Sequence, residues 1–94
     1  MGYNPINYSE IWKVKIIMNQ VTIYTTPTCI WCTRAKSYLR QNRISFVEKD
    51  VSRDREAANE MVAKSRQMGV PVLDINGNVI IGFDQANINR LLDL

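Results

Sequence analysis

Cys29 and Cys32 are the only two cysteines among the 94 residues, they are separated by Ile30 and Trp31, and the chain contains no histidine. The missing histidine removes the commonest general base and the commonest metal ligand, so triad-type catalysis is excluded. What remains is sulfur chemistry. A disulfide between Cys29 and Cys32 would close a loop of four residues, which on chain-entropy grounds stabilises by roughly 1.9 kcal/mol before any strain is subtracted. That is a poor staple. Secreted mini-domains bridge distant segments with several pairs, so this cysteine usage points to a reducing compartment and a reactive pair.

Thiolate, not thiol, is the attacking form. If a helix opens just after Cys29, the sulfur of Cys29 meets unpaired backbone N–H groups and the positive end of the helix dipole, both of which favour an anion. Cysteines so placed have pKa values lowered from about 8.5 to between roughly 3.5 and 7.5. Cys32 lies one turn further in, on the face shared with Ala35 and Leu39, and is expected to be buried and protonated. The two sulfurs then have different roles. Cys29 attacks a substrate disulfide to form a mixed disulfide, and Cys32 attacks Cys29 to release the reduced product. Two blander readings stand beside this one. Paired cysteines also build zinc knuckles, but zinc takes four ligands, so a metal would need a second chain or an external thiol. An inert buried pair is the other.

The pattern around the cysteines indicates which elements carry them. Gln20–Thr25 is rich in β-branched and aromatic residues and stops at Pro27, which reads as a strand. Ile30–Asn42 lacks Gly and Pro, and Cys32, Ala35 and Leu39 recur on one helical face. Ile44–Val51 returns to an apolar, β-branched mixture, completing a βαβ unit that is normally parallel and right-handed. Ser52 is a suitable N-cap for a second helix, with Asp54 and Glu56 near its positive end and Ala57, Ala58, Met61 and Val62 inward, to about Ser65. Val70–Ile75 is a third strand. Asn76-Gly77 then signals a tight hairpin, because both central positions of a type I′ turn need positive φ. Val79–Ile81 pairs back, Gly82 ends that strand, Asp84 can cap the last helix, and Ile88, Leu91 and Leu92 give its apolar stripe. Pro71 cannot donate to a ladder, which confines it to the first residues or the edge of a strand. The expected order is β-α-β-α-β-β-α, an α/β fold with a four-stranded mixed sheet flanked by helices.

Composition narrows the class. At this length, with 46% hydrophobic residues, the chain suits one globular domain. Twelve Lys and Arg against nine Asp and Glu give +3, but basic residues are interleaved with acidic ones, as in Arg53-Asp54-Arg55-Glu56, which reads as a solvated surface and not a nucleic-acid stripe. No apolar run approaches the ~20 residues that span a bilayer. Residues 1–19 look appended: an upstream start, a leader or a short extra strand from Ile11 to Ile17 all fit. Residues 20–94 form the self-contained domain.

Val21–Cys32, with Thr26 and Pro27 leading into the Cys-Ile-Trp-Cys motif, resembles the strand-to-active-site segment of glutaredoxins. Gly69-Val70-Pro71 and Gly82-Phe83-Asp84 fall in the corresponding later places. The resemblance covers Gln20–Leu94 and is nearest to the small bacterial YruB-type and NrdH-type glutaredoxin-like redoxins. It implies the thioredoxin-like (glutaredoxin) fold, a cis Val70-Pro71 bond beside the cysteines, and a Val70 backbone that pairs with an extended thiol peptide as an added strand. It also implies that Trp31 stands exposed beside the nucleophile and that Thr26, Gly82, Phe83 and Asp84 flank the substrate groove. The implied function is reduction of protein or glutathione-mixed disulfides, with no tightly bound cofactor and with glutathione or thioredoxin reductase as electron donor, in a cytoplasmic monomer that engages neither nucleic acid nor membrane. The alternative the family offers is an iron-sulfur cluster held by Cys29 and glutathione. Two positions depart from the pattern. Ile30 stands where the family usually has Pro, which changes the restraint on the motif and leaves the reduction potential open. Thr26 stands where glutathione-using members often carry Lys, which removes a charge-assisted contact typically worth about 1.5 to 3 kcal/mol.

Overall fold

In a computed structural model of the chain, residues 19–94 are described. The appended segment before Asn19, with the extra strand expected at Ile11–Ile17, lies outside them. The elements run β1 (Val21–Thr25), α1 (Ile30–Gln41), β2 (Val47–Asp50), α2 (Arg55–Ser65), β3 (Val72–Ile75), β4 (Asn78–Ile81) and α3 (Gln85–Leu92). This is the expected order. The sheet is β2-β1-β3-β4, with β1 parallel to β2 and antiparallel to β3, and β3 antiparallel to β4. The βαβ crossover therefore hangs α1 beside the C-terminal end of β1, where the motif begins.

Alternation along the central strands decides which face each helix covers. Val21 and Ile23 of β1 with Leu73 and Ile75 of β3 form one core with Ala35 and Leu39 of α1 and Ile88 and Leu92 of α3. Tyr24 and Val72, one residue out of step, point to the other face and pack with Met61 of α2. Each fully buried aliphatic side chain contributes about 1.5 to 3 kcal/mol relative to exposure, so the two-sided cover over β1 and β3 holds the site's scaffold rigid. At Asn76 and Gly77 φ is +53° and +90°, so the hairpin between β3 and β4 turns through two left-handed residues as the dipeptide requires.

Three local expectations are corrected. Asp54, not Ser52, caps α2: its carboxylate accepts from the Ala57 amide at 3.0 Å. Ser52 is held instead by Asp50, whose Oδ1 accepts from the Ser52 amide at 2.9 Å and its hydroxyl at 2.5 Å. Inward-facing residues of α2 reduce to Ala57 and Met61, while Ala58 is half-buried and Val62 is exposed. Strand β2 is shorter than Ile44–Val51. The chain leaves α1 through Arg43, at φ +59°, and the Ile44 amide donates to the Leu39 carbonyl at 2.9 Å, so Ile44 is buried as part of the helix exit. Likewise β3 begins after Pro71, which sits where a residue without an N–H is tolerated.

Candidate active site

Cys29 is the N-cap of α1. Its backbone is extended (φ −89°, ψ 112°), and the Cys32 amide points at Sγ of Cys29 from 3.0 Å. A cap side chain normally satisfies one of the orphan N–H groups of the first turn. Here sulfur does so. The Thr33 amide and hydroxyl donate to the Cys29 carbonyl at 3.2 and 3.3 Å, which fixes the residue's backbone. No acidic residue lies in the first turn of α1, so nothing there competes with a sulfur anion for the positive helix end.

Cys29 and Cys32 are joined by a disulfide. Cys29 is half-buried and Cys32 is 1% exposed, so only the first sulfur can be approached from outside. The expected division between an outer and an inner sulfur is thus present in the packing.

The Val70-Pro71 peptide bond is cis. It carries the Val70 carbonyl oxygen to 3.8 Å from Cys29 Sγ. Pro71 is fully buried, and its carbonyl accepts from the Gly82 amide at 2.8 Å. Gly82 has φ +81°, a left-handed conformation that glycine adopts without a Cβ penalty. Phe83 follows and is held edge-on by Tyr38 of α1, ring centroids 5.6 Å apart. The Tyr38 hydroxyl in turn donates to Asn89 of α3. Trp31, Val70, Pro71, Gly82 and Phe83 together line an open groove of about 310 Å³. No charged side chain is among them.

The two remaining expected residues lie apart from this groove. Thr26 is half-buried, and its carbonyl accepts from the Cys29 amide at 3.4 Å, which makes it a backbone support for the motif. Asp84 caps α3 by accepting from the Asn87 amide at 3.2 Å and the Asn87 side chain at 2.7 Å. It lines a separate depression with residues of β4 and α3.

Sequence reasoning passed over Tyr38 and Arg34. Tyr38 lies seven residues after Trp31, hence on the same side of α1, and that spacing was the available signal. Arg34 lies over the Trp31 ring, 4.8 Å from its centroid. Behind the motif, buried Thr25 donates to Glu48 at 2.8 Å and Lys36 donates to the same carboxylate oxygen at 2.7 Å. The Lys36 hydrogen bond, aided by Thr25, holds the Glu48 carboxyl below its ordinary range. Among the described residues no group of three or more His, Cys, Asp or Glu side chains gathers where a metal could sit, and no helix is long and apolar enough to cross a membrane.

A family model described as glutaredoxin matches residues 21–80. Over 73 residues the chain is 45% identical to a glutaredoxin-like 8.6 kDa protein in the rubredoxin operon of Clostridium pasteurianum, covering 78% of this chain and 97% of that one. It is 36% identical over 67 residues to glutaredoxin 3 of Escherichia coli K12, covering 71% of this chain and 81% of the relative. Among solved structures, the NrdH-redoxin of Escherichia coli, described as a glutaredoxin-like protein with a thioredoxin-like activity profile, superposes with a TM-score of 0.70. It shares 30% identity, over 77% of this chain and 93% of that one.

Proposed function

The chain belongs to the glutaredoxin family of disulfide oxidoreductases, and we propose that it reduces protein and glutathione-mixed disulfides by a two-cysteine cycle. The observation that carries this reading is the placement of Cys29 Sγ at the opening of α1, 3.0 Å from the Cys32 amide, with Cys32 buried behind it. In the first step the Cys29 thiolate attacks one sulfur of the substrate disulfide. A Cys29–substrate disulfide forms, and the other substrate sulfur leaves as thiolate and takes a proton from water. In the second step the Cys32 thiol gives up its proton to water, and the thiolate attacks Cys29 Sγ. The internal disulfide forms and the second substrate thiol departs, so the substrate gains the two electrons the cysteines lose.

Trp31, Val70, Pro71, Gly82 and Phe83 hold the extended segment around the substrate sulfur, with the Val70 backbone pairing to it as to an added strand. Thr26 and Asp84 stay outside that groove, the first supporting the backbone of the motif and the second capping α3. Electrons return from a thiol donor, either two molecules of glutathione or thioredoxin reductase. The uncharged groove lining and Thr26 in place of a cation favour the reductase, because a glutathione carboxylate would find no charged partner among the lining residues. The protein acts as a cytoplasmic monomer without a tightly bound cofactor.

A pair of NADPH-oxidation assays tests this, one with glutathione and glutathione reductase, the other with thioredoxin reductase. Turnover in the second cuvette alone supports the full reading. Turnover with glutathione alone overturns the donor assignment, and silence in both overturns the cycle.

A further inference from the structure

Charge is not spread evenly over this fold. From Thr26 to Val47 the chain carries Arg34, Lys36, Arg40 and Arg43 and no acidic residue. Interleaving holds only beyond Val47. Lys36 is neutralised by Glu48 at 2.7 Å, and Lys49 and Lys64 are likewise paired with Glu60 and Asp74. Arg34, Arg40 and Arg43 make no ion pair among the described residues.

Two of these arginines are laid on aromatic rings, Arg34 over Trp31 at 4.8 Å and Arg40 over Phe46 at 5.4 Å. Stacking of this kind holds the guanidinium plane while leaving its N–H edge for a carboxylate. Arg34 also shares a helical face with Ile30, four residues before it. Ile30 and Trp31 are 60% and 52% exposed and flank the sulfur that meets the substrate. An apolar pair with one unpaired, pre-oriented cation beside it is the complement of a polypeptide that is acidic near its cysteines.

We propose that the outer face of α1 from Ile30 to Arg34 docks an acidic polypeptide segment carrying the disulfide to be reduced. This rests on the two-cysteine reading above and adds the substrate's charge. Arg34 sits about one turn into the helix that starts at the nucleophile, where its charge steers encounter and fixes approach. Such steering weakens as salt rises.

The test uses the pre-reduced full chain in single turnover, so no donor is needed. Two peptides of equal length, each closed by one disulfide, are flanked by glutamates in one and lysines in the other. The acidic peptide is expected to be reduced about tenfold faster at ~20 mM salt, and the gap to close near ~0.5 M. Arg34→Glu is expected to erase the preference and Arg34→Gln to halve its logarithm. Equal rates at low salt, or a preference that survives Arg34→Glu, overturns the inference. So does an equal slowing of oxidised glutathione by Arg34→Glu, which would give the arginine to the tripeptide's carboxylates. Reduction of neither peptide sinks the two-cysteine reading itself, and the docking face with it.

Discussion

The Gly82 amide donates to the Pro71 carbonyl at 2.8 Å, one step beyond the Val72–Ile81 pair of the β3–β4 ladder, which ties the segment before α3 to the cis-proline loop. The two lining segments are thereby held side by side as an extension of that ladder, and Phe83 is held against α1 by the Tyr38 contact.

Substitution at Gly82 tests how much that conformation depends on glycine. A Cβ added there meets nothing within 4 Å, so the cost is that of placing an alanine at φ +81°, about 1 kcal/mol. The urea midpoint of Gly82→Ala should fall by the corresponding amount with an unchanged m-value. An unchanged midpoint would show that the loop relaxes freely.

The two cysteines should separate cleanly. Cys29→Ser is expected to lose all disulfide reduction, whereas Cys32→Ser should still capture a substrate and stop there. Mass spectrometry of Cys32→Ser after mixing with a peptide disulfide should find one covalent adduct per chain, and its absence would contradict the assigned order of attack.

Asp84→Ala removes the side-chain acceptor that serves Asn87 at the start of α3. Loss of such a cap costs about 1 kcal/mol. Asp84→Asn, which can still accept, should recover most of it in the same denaturation experiment.

Stability should decline at both ends of the pH range. Hydrogen bonds from Lys49 and then Tyr24 hold the Glu60 carboxyl below its ordinary value of 4.5, and Glu48 is lowered in the same direction. A depressed carboxyl stabilises the fold above its unfolded value and loses that contribution as pH falls through the folded one. The urea midpoint should therefore hold through neutrality and drop below about pH 4.5, with a shallower drop in Glu60→Gln. At the alkaline end, burial raises the Tyr24 hydroxyl above 10.0, and the hydrogen bond that Lys64 donates to Asp74 raises the Lys64 ammonium above 10.5. Those contributions are present below the unfolded values and fade as pH climbs through the raised ones. A flat acid limb would remove the paired glutamates from the account.

Much of the fold was written in local patterns. Cys32, Ala35 and Leu39 announced the buried face of α1, Asn76-Gly77 announced its turn, and all three helices began within three residues of the positions expected. What escaped depended on competition between neighbours. Ser52 and Asp54 are both good caps, and the choice was made by Asp50, which captures Ser52 in a turn of its own. Ile44 has a strand's composition but is buried at the exit of α1. Val62 was expected inward, yet the sheet face beneath α2 is occupied by Tyr24, whose hydroxyl needs Glu60 and Lys64 beside it. No window of sequence joins residues 24, 60, 64 and 74. Of the site, the cysteine pair was legible from spacing, and the resemblance pointed to the five residues that line the groove but also to Thr26 and Asp84, which do not. Arg34 was not legible, because its meaning depends on which other cations have found partners.

The near-complete burial of Cys32 has a kinetic corollary. An oxidised molecule offers an arriving thiol one sulfur only, the same one that a reduced molecule offers to its oxidant. Acceptor and donor must then take turns at a single atom, so no ternary complex can be productive. Double-reciprocal plots at several donor concentrations should run parallel, the signature of a ping-pong mechanism.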